Sequence, residues 1–352
     1  MKHLFFLIGS AALPALTQAQ QLTFSSALHQ SSEKVSIYRE WPTRQLQDTL
    51  HLSGNAFQYT LPAGAPAVYS VHLRKPFVDA VILAGEGPVT ISVTKDTQVV
   101  VKGGVLQQRW KDFEQAVAPD EKLWNEWGRK YERGANLDEK LKANKESNRY
   151  AEKVQHARLQ FTVLNADNLL GAWMGYYYAF AWSPANLQQL LPAFRKQTFA
   201  KATFDKLQEK QQEADKYNLT GKKAPAFELP AIDGKSVSLQ QLMKDHDYVL
   251  LDVWASWCTP CRATNRKLAP LHEKLSKKGI AFVSVSVDEK KDLWEKAVAA
   301  DKIPWTQLRT SEGMKGEFVQ QYKVQSLPAT FLIDKTGTII RQHIEIADLE
   351  KL

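Results

Sequence analysis

The sequence predicts an α/β fold over its C-terminal third, preceded by a β-rich region and then a helical one. Three observations predict it. Between about residues 22 and 105, short β-branched and aromatic runs alternate with turn residues. From about Gln107, aromatic residues recur at three- and four-residue spacing amid charges, as on a helix face. Beyond Lys223, strand-like and helix-like segments alternate and end in a hairpin, the order that builds a mixed sheet covered by helices.

At 352 residues the chain is long enough for two or three domains. Met1-Lys2-His3 precedes an apolar run over residues 4–8, with small and apolar residues to Leu16 and then Thr17-Gln18-Ala19. This is the pattern of a secretory signal peptide over residues 1–19, with cleavage expected after Ala19. The run is too short for a membrane span, which needs about 20 apolar residues. No cysteine follows the signal, so no lipoprotein anchor is expected, and the mature chain is expected to be soluble in the periplasm.

Residues 20–106 are expected to form a β-rich domain. Its strands include residues 56–61, 68–73, 80–83 and 89–93, with turns at Ser53-Gly54-Asn55 and Gly85-Glu86-Gly87-Pro88. Residues 107–220 form the helical region, mostly helix from Glu121 to Lys210 and broken at Gly134 and at Ser183-Pro184. Residues 169–182 are almost wholly apolar and carry six aromatic side chains, including Trp173, Tyr177 and Phe180. The stretch reads either as an aromatic binding surface or as a helix buried against its neighbours, and its length favours burial. Residues 221–352 follow, with strands at 226–229, 248–254 and 280–287, a helix from the cysteine pair to about Lys278, a second at 291–300, and a hairpin at 330–333 and 338–342.

Hydrophobic residues make up 44% and charged residues 24%, ordinary for a globular protein. The net charge of +8 is spread along the chain without a Lys/Arg block, which speaks against nucleic acid as a partner. There are 2 cysteines, Cys258 and Cys261, three positions apart. A structural staple in an exported protein joins distant cysteines, because closing a long loop constrains more chain. A pair at this spacing closes almost no loop, so chemistry is the better explanation. Structural zinc wants four ligands, usually from two such pairs; there is no second pair, and His272 is not at a ligand spacing. No metal or cofactor is expected beyond the cysteine pair itself.

Attack by a thiol needs the thiolate and access to it. Cys258 falls where a strand ends and a helix begins, so unsatisfied backbone N–H groups and the positive end of the helix dipole face its sulfur. Pro260 fits the first turn, where its missing N–H costs nothing. Cys261 lies one turn on, within disulfide reach and covered by the fold. Cys258 is therefore the expected attacking residue and Cys261 the resolving one.

The segment VLLDVWASWCTPC (249–261) resembles the active-site strand and turn of thioredoxins. Together with GKKAPAFELP (221–230), DGK (233–235), VSL (237–239) and YKVQSLPATFLID (322–334), it is similar to the exported TlpA/ResA-like thiol–disulfide oxidoreductases. The resemblance covers residues 221–352 and implies a thioredoxin fold there. The region before it resembles only loosely the β-plus-helical segment found ahead of this module in Bacteroidetes proteins.

The resemblance implies a cis proline at Pro328, presenting the backbone of Leu327 to an extended substrate and keeping the sulfurs free of metal. It also implies that Asp252, which interrupts an apolar strand, accepts the proton of the resolving cysteine; a buried carboxylate is costly and shifts toward its neutral form. Trp257, Thr259 and Pro260 line the expected substrate contact, although Trp257 fits lid packing equally well. Two positions depart from the family pattern. Thr264 stands where a glutamate is common, and Arg266 stands where a helix-kinking proline is usual, which predicts a straighter helix.

The implied function is exchange with disulfides of client proteins, as a reductant, with re-reduction by an upstream membrane electron donor. Two rivals remain. The Ala224–Leu229 lead-in is shared with peroxiredoxin-type sequences, which suggests a thiol peroxidase. The N-terminal 200 residues or so could instead form a partner-binding or dimerisation module, making the chain a homodimer with an accessory redox domain.

Overall fold

The computed structural model describes residues 19–28, 33–52, 54–64, 66–74, 77–85, 87–344 and 346–351. The expected signal peptide lies, but for Ala19, outside the described residues. Two compact units emerge: residues 1–124 with 148–213, and residues 125–147 with 214–352.

The first unit holds eight strands: β1 (Gln20–Ser26), β2 (Glu33–Trp41), β3 (Gln45–Leu52), β4 (Ala56–Leu61), β5 (Ala67–Leu73), β6 (Val78–Ala84), β7 (Val89–Val93) and β8 (Val99–Lys102). They form two four-stranded sheets, ordered β4-β1-β7-β8 and β3-β2-β5-β6. Alternation is clear in β1 and β7, whose inward residues Leu22, Phe24, Val89 and Ile91 meet Val35, Ile37, Val71 and Ile82 of the other sheet in one core. The helices that follow are α1 (Val105–Arg133), α2 (Leu137–Leu164), α3 (Leu169–Tyr177), α4 (Pro184–Phe194) and α5 (Lys201–Tyr217), of which residues 125–147 and 214–217 fall in the second unit. A second core joins Trp110, Trp173, Leu190 and Phe194 to Trp41, Val68 and Leu83 on the strands. Buried Gln107 fastens α1 to β6, accepting from the N–H of Leu83 and donating to the carbonyl of Val81.

Helix α1 begins at Val105, well before Glu121, and runs through Pro119. The aromatic stretch divides. Leu169 to Gly175 are buried in α3, as the packing reading holds, whereas Tyr177 and Phe180 stand exposed. Gly171 is required there, because a Cβ would lie 2.0 Å from the carbonyl oxygen of Asn165.

The second unit contains the small hairpin β9 (Glu228–Pro230) and β10 (Ser236–Ser238), turned at Gly234 with φ +85°, then α6 (Leu239–Lys244) and β11 (Tyr248–Trp254). It continues through α7 (Thr259–Leu268), α8 (His272–Ser276), β12 (Ile280–Ser286), α9 (Lys291–Asp301), β13 (Thr306–Arg309), α10 (Glu317–Gln321), β14 (Ala329–Asp334) and β15 (Ile339–Gln342). The sheet order is β13-β12-β11-β14-β15, with β11, β12 and β13 parallel and β14 and β15 antiparallel to their neighbours. This is the thioredoxin-like arrangement that the resemblance implies. Strand β12 is buried at every position, which is why its sequence shows no charged residue and no apolar/polar alternation over its first half.

The expected helix from the cysteines to Lys278 is interrupted. A 3₁₀ turn at Ala269–Leu271 separates α7 from α8, because Pro270 has no N–H to continue the ladder. The break therefore falls four residues after Arg266 rather than at it. Strand β13, short and half-polar, has no counterpart among the expected elements. Among the described residues no helix is long and apolar enough to cross a membrane.

Candidate active site

Strand β11 delivers the chain through Ala255–Trp257 to Cys258, which is the N-cap of α7. Its sulfur accepts a hydrogen bond from the N–H of Cys261 at 3.2 Å, so an otherwise unsatisfied helix donor points at it. Pro260 stands in the first turn. The two cysteines are joined, with Cα atoms 5.3 Å apart. Cys258 is 5% exposed and Cys261 1%. Cys258 is the less buried of the two, but it is less accessible than the expectation for an attacking thiol. Buried Thr259 follows it, whereas the side chain before it, Trp257, is 62% exposed.

Asp252 lies in the middle of β11, opposite Ser284 of β12 on one side and Thr330 of β14 on the other. It is 3% exposed. Burial pushes its carboxyl from an ordinary 3.8 up to about 7, opposed by the Ser284 hydroxyl. That hydroxyl donates to Oδ2 at 3.1 Å and accepts from the indole N–H of Trp305 at 2.8 Å. Oδ1 is buried and has no hydrogen-bond partner among the described residues. The peptide bond Leu327–Pro328 is cis and leads directly into β14, two residues before Thr330. Leu327 is half-buried against the core.

The loop between β11 and α7 is held from below. Asp288, buried just past β12, accepts from the N–H and the hydroxyl of Ser256, both at 2.7 Å, and from the hydroxyl of Ser286 at 2.7 Å. Helix α7 is tied to α9 through Asp301, whose buried carboxylate receives Arg262 at 2.7 Å and Arg266 at 2.6 Å. Arg266 also reaches Asp138 at 2.6 Å, within the same compact unit. Thr264, standing where a glutamate is common, donates to the carbonyl of Pro260 at 3.2 Å and brings no acid to the site. Ser284, Trp305, Asp288 and Asp301 escape a reading of the sequence, since only sheet register and helix packing bring them to this place.

The AhpC/TSA family model matches residues 220–342. Thiol-disulfide oxidoreductase ResA of Bacillus thuringiensis (strain Al Hakam) is 30% identical over 140 residues, covering 40% of this chain and 78% of that protein. Thiol:disulfide interchange protein DsbE of Yersinia pestis is 35% identical over 131 residues, 36% of this chain and 64% of that one. Among solved structures, a thiol-disulfide oxidoreductase from Bacteroides fragilis is 32% identical and covers 37% of this chain and 98% of its own, with a TM-score of 0.35. The matched stretch holds the whole redox-pair sheet and helix, and on this similarity the chain belongs to the family of thiol–disulfide oxidoreductases that includes ResA.

Proposed function

We propose that this oxidoreductase is an exported reductant of disulfides in client proteins. The observation that supports it most is the bonded pair at the start of α7, with a proton-holding carboxyl on the strand that leads to it. In the reduced protein, Cys258 attacks one sulfur of a client disulfide. A Cys258–client disulfide forms, and the other client sulfur leaves as a thiolate and takes up a proton. Asp252 accepts the proton of Cys261, whose thiolate then attacks the Cys258 sulfur. The client leaves with its second sulfur reduced, and the pair ends bonded as Cys258–Cys261. Two electrons have passed to the client, and a membrane donor of the dithiol class restores the pair.

Trp257 offers an exposed aromatic face beside the nucleophile, suited to client contact. Leu327, Pro328, Thr259 and Pro260 complete the proposed contact surface. Export rests on the apolar amino terminus and on the exported group that the sequence resembles. The test is capture with Cys261→Ser, which cannot resolve the mixed disulfide. Client proteins held through Cys258 in periplasmic extract, released by reductant, are the expected result. A reduction potential near that of strong oxidants would reverse the proposed direction.

The AhpC/TSA match, which includes the Ala224–Leu229 lead-in, favours a second reading as a thiol peroxidase. Peroxide turnover far above that of a free thiol would support it; turnover at the free-thiol rate would dismiss it.

A further inference from the structure

Resting on the proposed role of Asp252, we infer that Ser284 and Trp305 are positioning residues that direct the transferred proton to one oxygen of that carboxyl, Oδ1. The argument starts from donor counting. An indole N–H can only donate, and Trp305 gives it to the Ser284 oxygen at 2.8 Å. One lone pair of the hydroxyl is thereby occupied, and its single proton turns toward Asp252 Oδ2 at 3.1 Å. Oδ2 thus already carries one donated hydrogen, and a carboxyl keeps its proton most readily on the oxygen that no donor faces. Oδ1 is buried and has no partner among the described residues. It is therefore the oxygen that the arrangement favours for the incoming proton.

Without Trp305, the serine would turn more readily to accept from a protonated Oδ2, which would favour the neutral acid. Held as a donor, it favours the carboxylate, the form able to act as a base. The pair is rigid by construction. Ser284 is fully buried in β12, and the Trp305 ring packs against Phe282 and His272 at 5.6 and 5.5 Å.

The groups around Asp252 leave this hydroxyl in charge. From α7 come the cysteine pair and Arg262 and Arg266, both arginines committed to Asp301 of α9. From α8 comes His272, whose imidazole is held below its ordinary range by burial and stacks on Trp305. Strand β14 presents uncharged Thr330 opposite Asp252 and carries Asp334 at its far end, opposite Tyr248. Strand β13 carries Arg309, which donates to the carbonyls of Asp288 and Glu289. Burial and the Ser284 hydroxyl are the two influences on the Asp252 carboxyl, with no charged neighbour among them.

The experiment follows resolution of a Cys258 mixed disulfide with a model peptide, from about pH 5 to about pH 9, in otherwise full-length protein. Ser284→Ala is expected to move the rising limb of the rate profile up by about one pH unit. The same variant is expected to stay within about twofold of the parent at the alkaline plateau, where the carboxyl is ionised in both. Trp305→Phe, which keeps the ring packing, is expected to move the limb the same way by less, and Ser284→Thr to restore it. Loosened packing would instead lower the rate at every pH, and that result overturns the inference. Asp252→Asn is the control. A limb that survives Asp252→Asn removes the proposed role of Asp252 together with this inference. A limb abolished by Asp252→Asn but unmoved by both Ser284→Ala and Trp305→Phe overturns the inference alone. Should Ser284→Ala fail to fold, Trp305→Phe decides the matter by the same shift.

Discussion

Asp252 keeps a carboxyl inside the redox sheet, where its two protonation states differ in cost. The folded protein holds its proton up to about pH 7, whereas an unfolded chain loses it near the ordinary 3.8. Between those values folding takes up a proton, so stability falls as pH rises through the window, by at most on the order of 4 kcal/mol for this group. Asp252→Asn stays neutral throughout. It is expected to raise the thermal midpoint by several degrees at about pH 8 and to change it little at about pH 4, read by calorimetry at both. Equal shifts at the two pH values would mean the carboxyl is not shielded from water. Asp252 is legible in the sequence because a charge interrupts an apolar run, and the cysteines are legible by their spacing. Ser284 and Trp305 are not, since nothing local distinguishes a serine in a β-branched strand from one that supports a carboxylate 32 positions away.

The turn from β11 into α7 must hold Cys258, the proposed nucleophile, without the help of regular hydrogen bonding, and Asp288 supplies the missing partners. Removing its carboxylate leaves the N–H and hydroxyl of Ser256 and the hydroxyl of Ser286 without their acceptor. Asp288→Ala is expected to lower stability by about 2–4 kcal/mol, seen as a fall in the urea midpoint at unchanged slope. Amide exchange at Ser256 and Trp257 is expected to quicken in step. A midpoint within error of the parent would mean that water replaces the carboxylate without loss. Elements with strong periodicity are readable from the residues alone: β11, β12, α9 and the closing hairpin all stand where the pattern puts them. Strand β13 is not, being four residues long with Thr306 and Gln307 in it, and its place is set by pairing with β12. The break at Pro270 is open to view in the sequence, because a proline well inside an α-helix cannot extend its ladder.

At the scale of the molecule, the core of the redox unit is self-contained: its buried residues run from Leu219 to Leu349 and include none from earlier in the chain. The helical segment 125–147 nevertheless belongs to that unit, with Asp138 bonded to Arg266. Asp138 is 83% exposed at its side chain, so this pair adds little. A double-mutant cycle of Asp138→Ala and Arg266→Ala is expected to give a coupling below about 1 kcal/mol. A fragment of residues 214–352 is expected to fold and to reduce a model disulfide at a rate within a few-fold of the whole chain. Loss of client reduction with intact model activity would instead give residues 20–220 a partner-binding role. The redox unit is legible because its motifs are local; the two-sheet unit is only sketched by its sequence, since β1 finds β4 and β7, and β2 finds β5, through long-range pairing. All of this depends on a sulfur made nucleophilic by the helix it starts. The most direct measurement is alkylation of the fully reduced protein by iodoacetamide at neutral pH, with the sites read by mass spectrometry. Modification at Cys258 at least about tenfold faster than at Cys261 is expected. Two cysteines modified at the same slow rate as an ordinary buried thiol would contradict it.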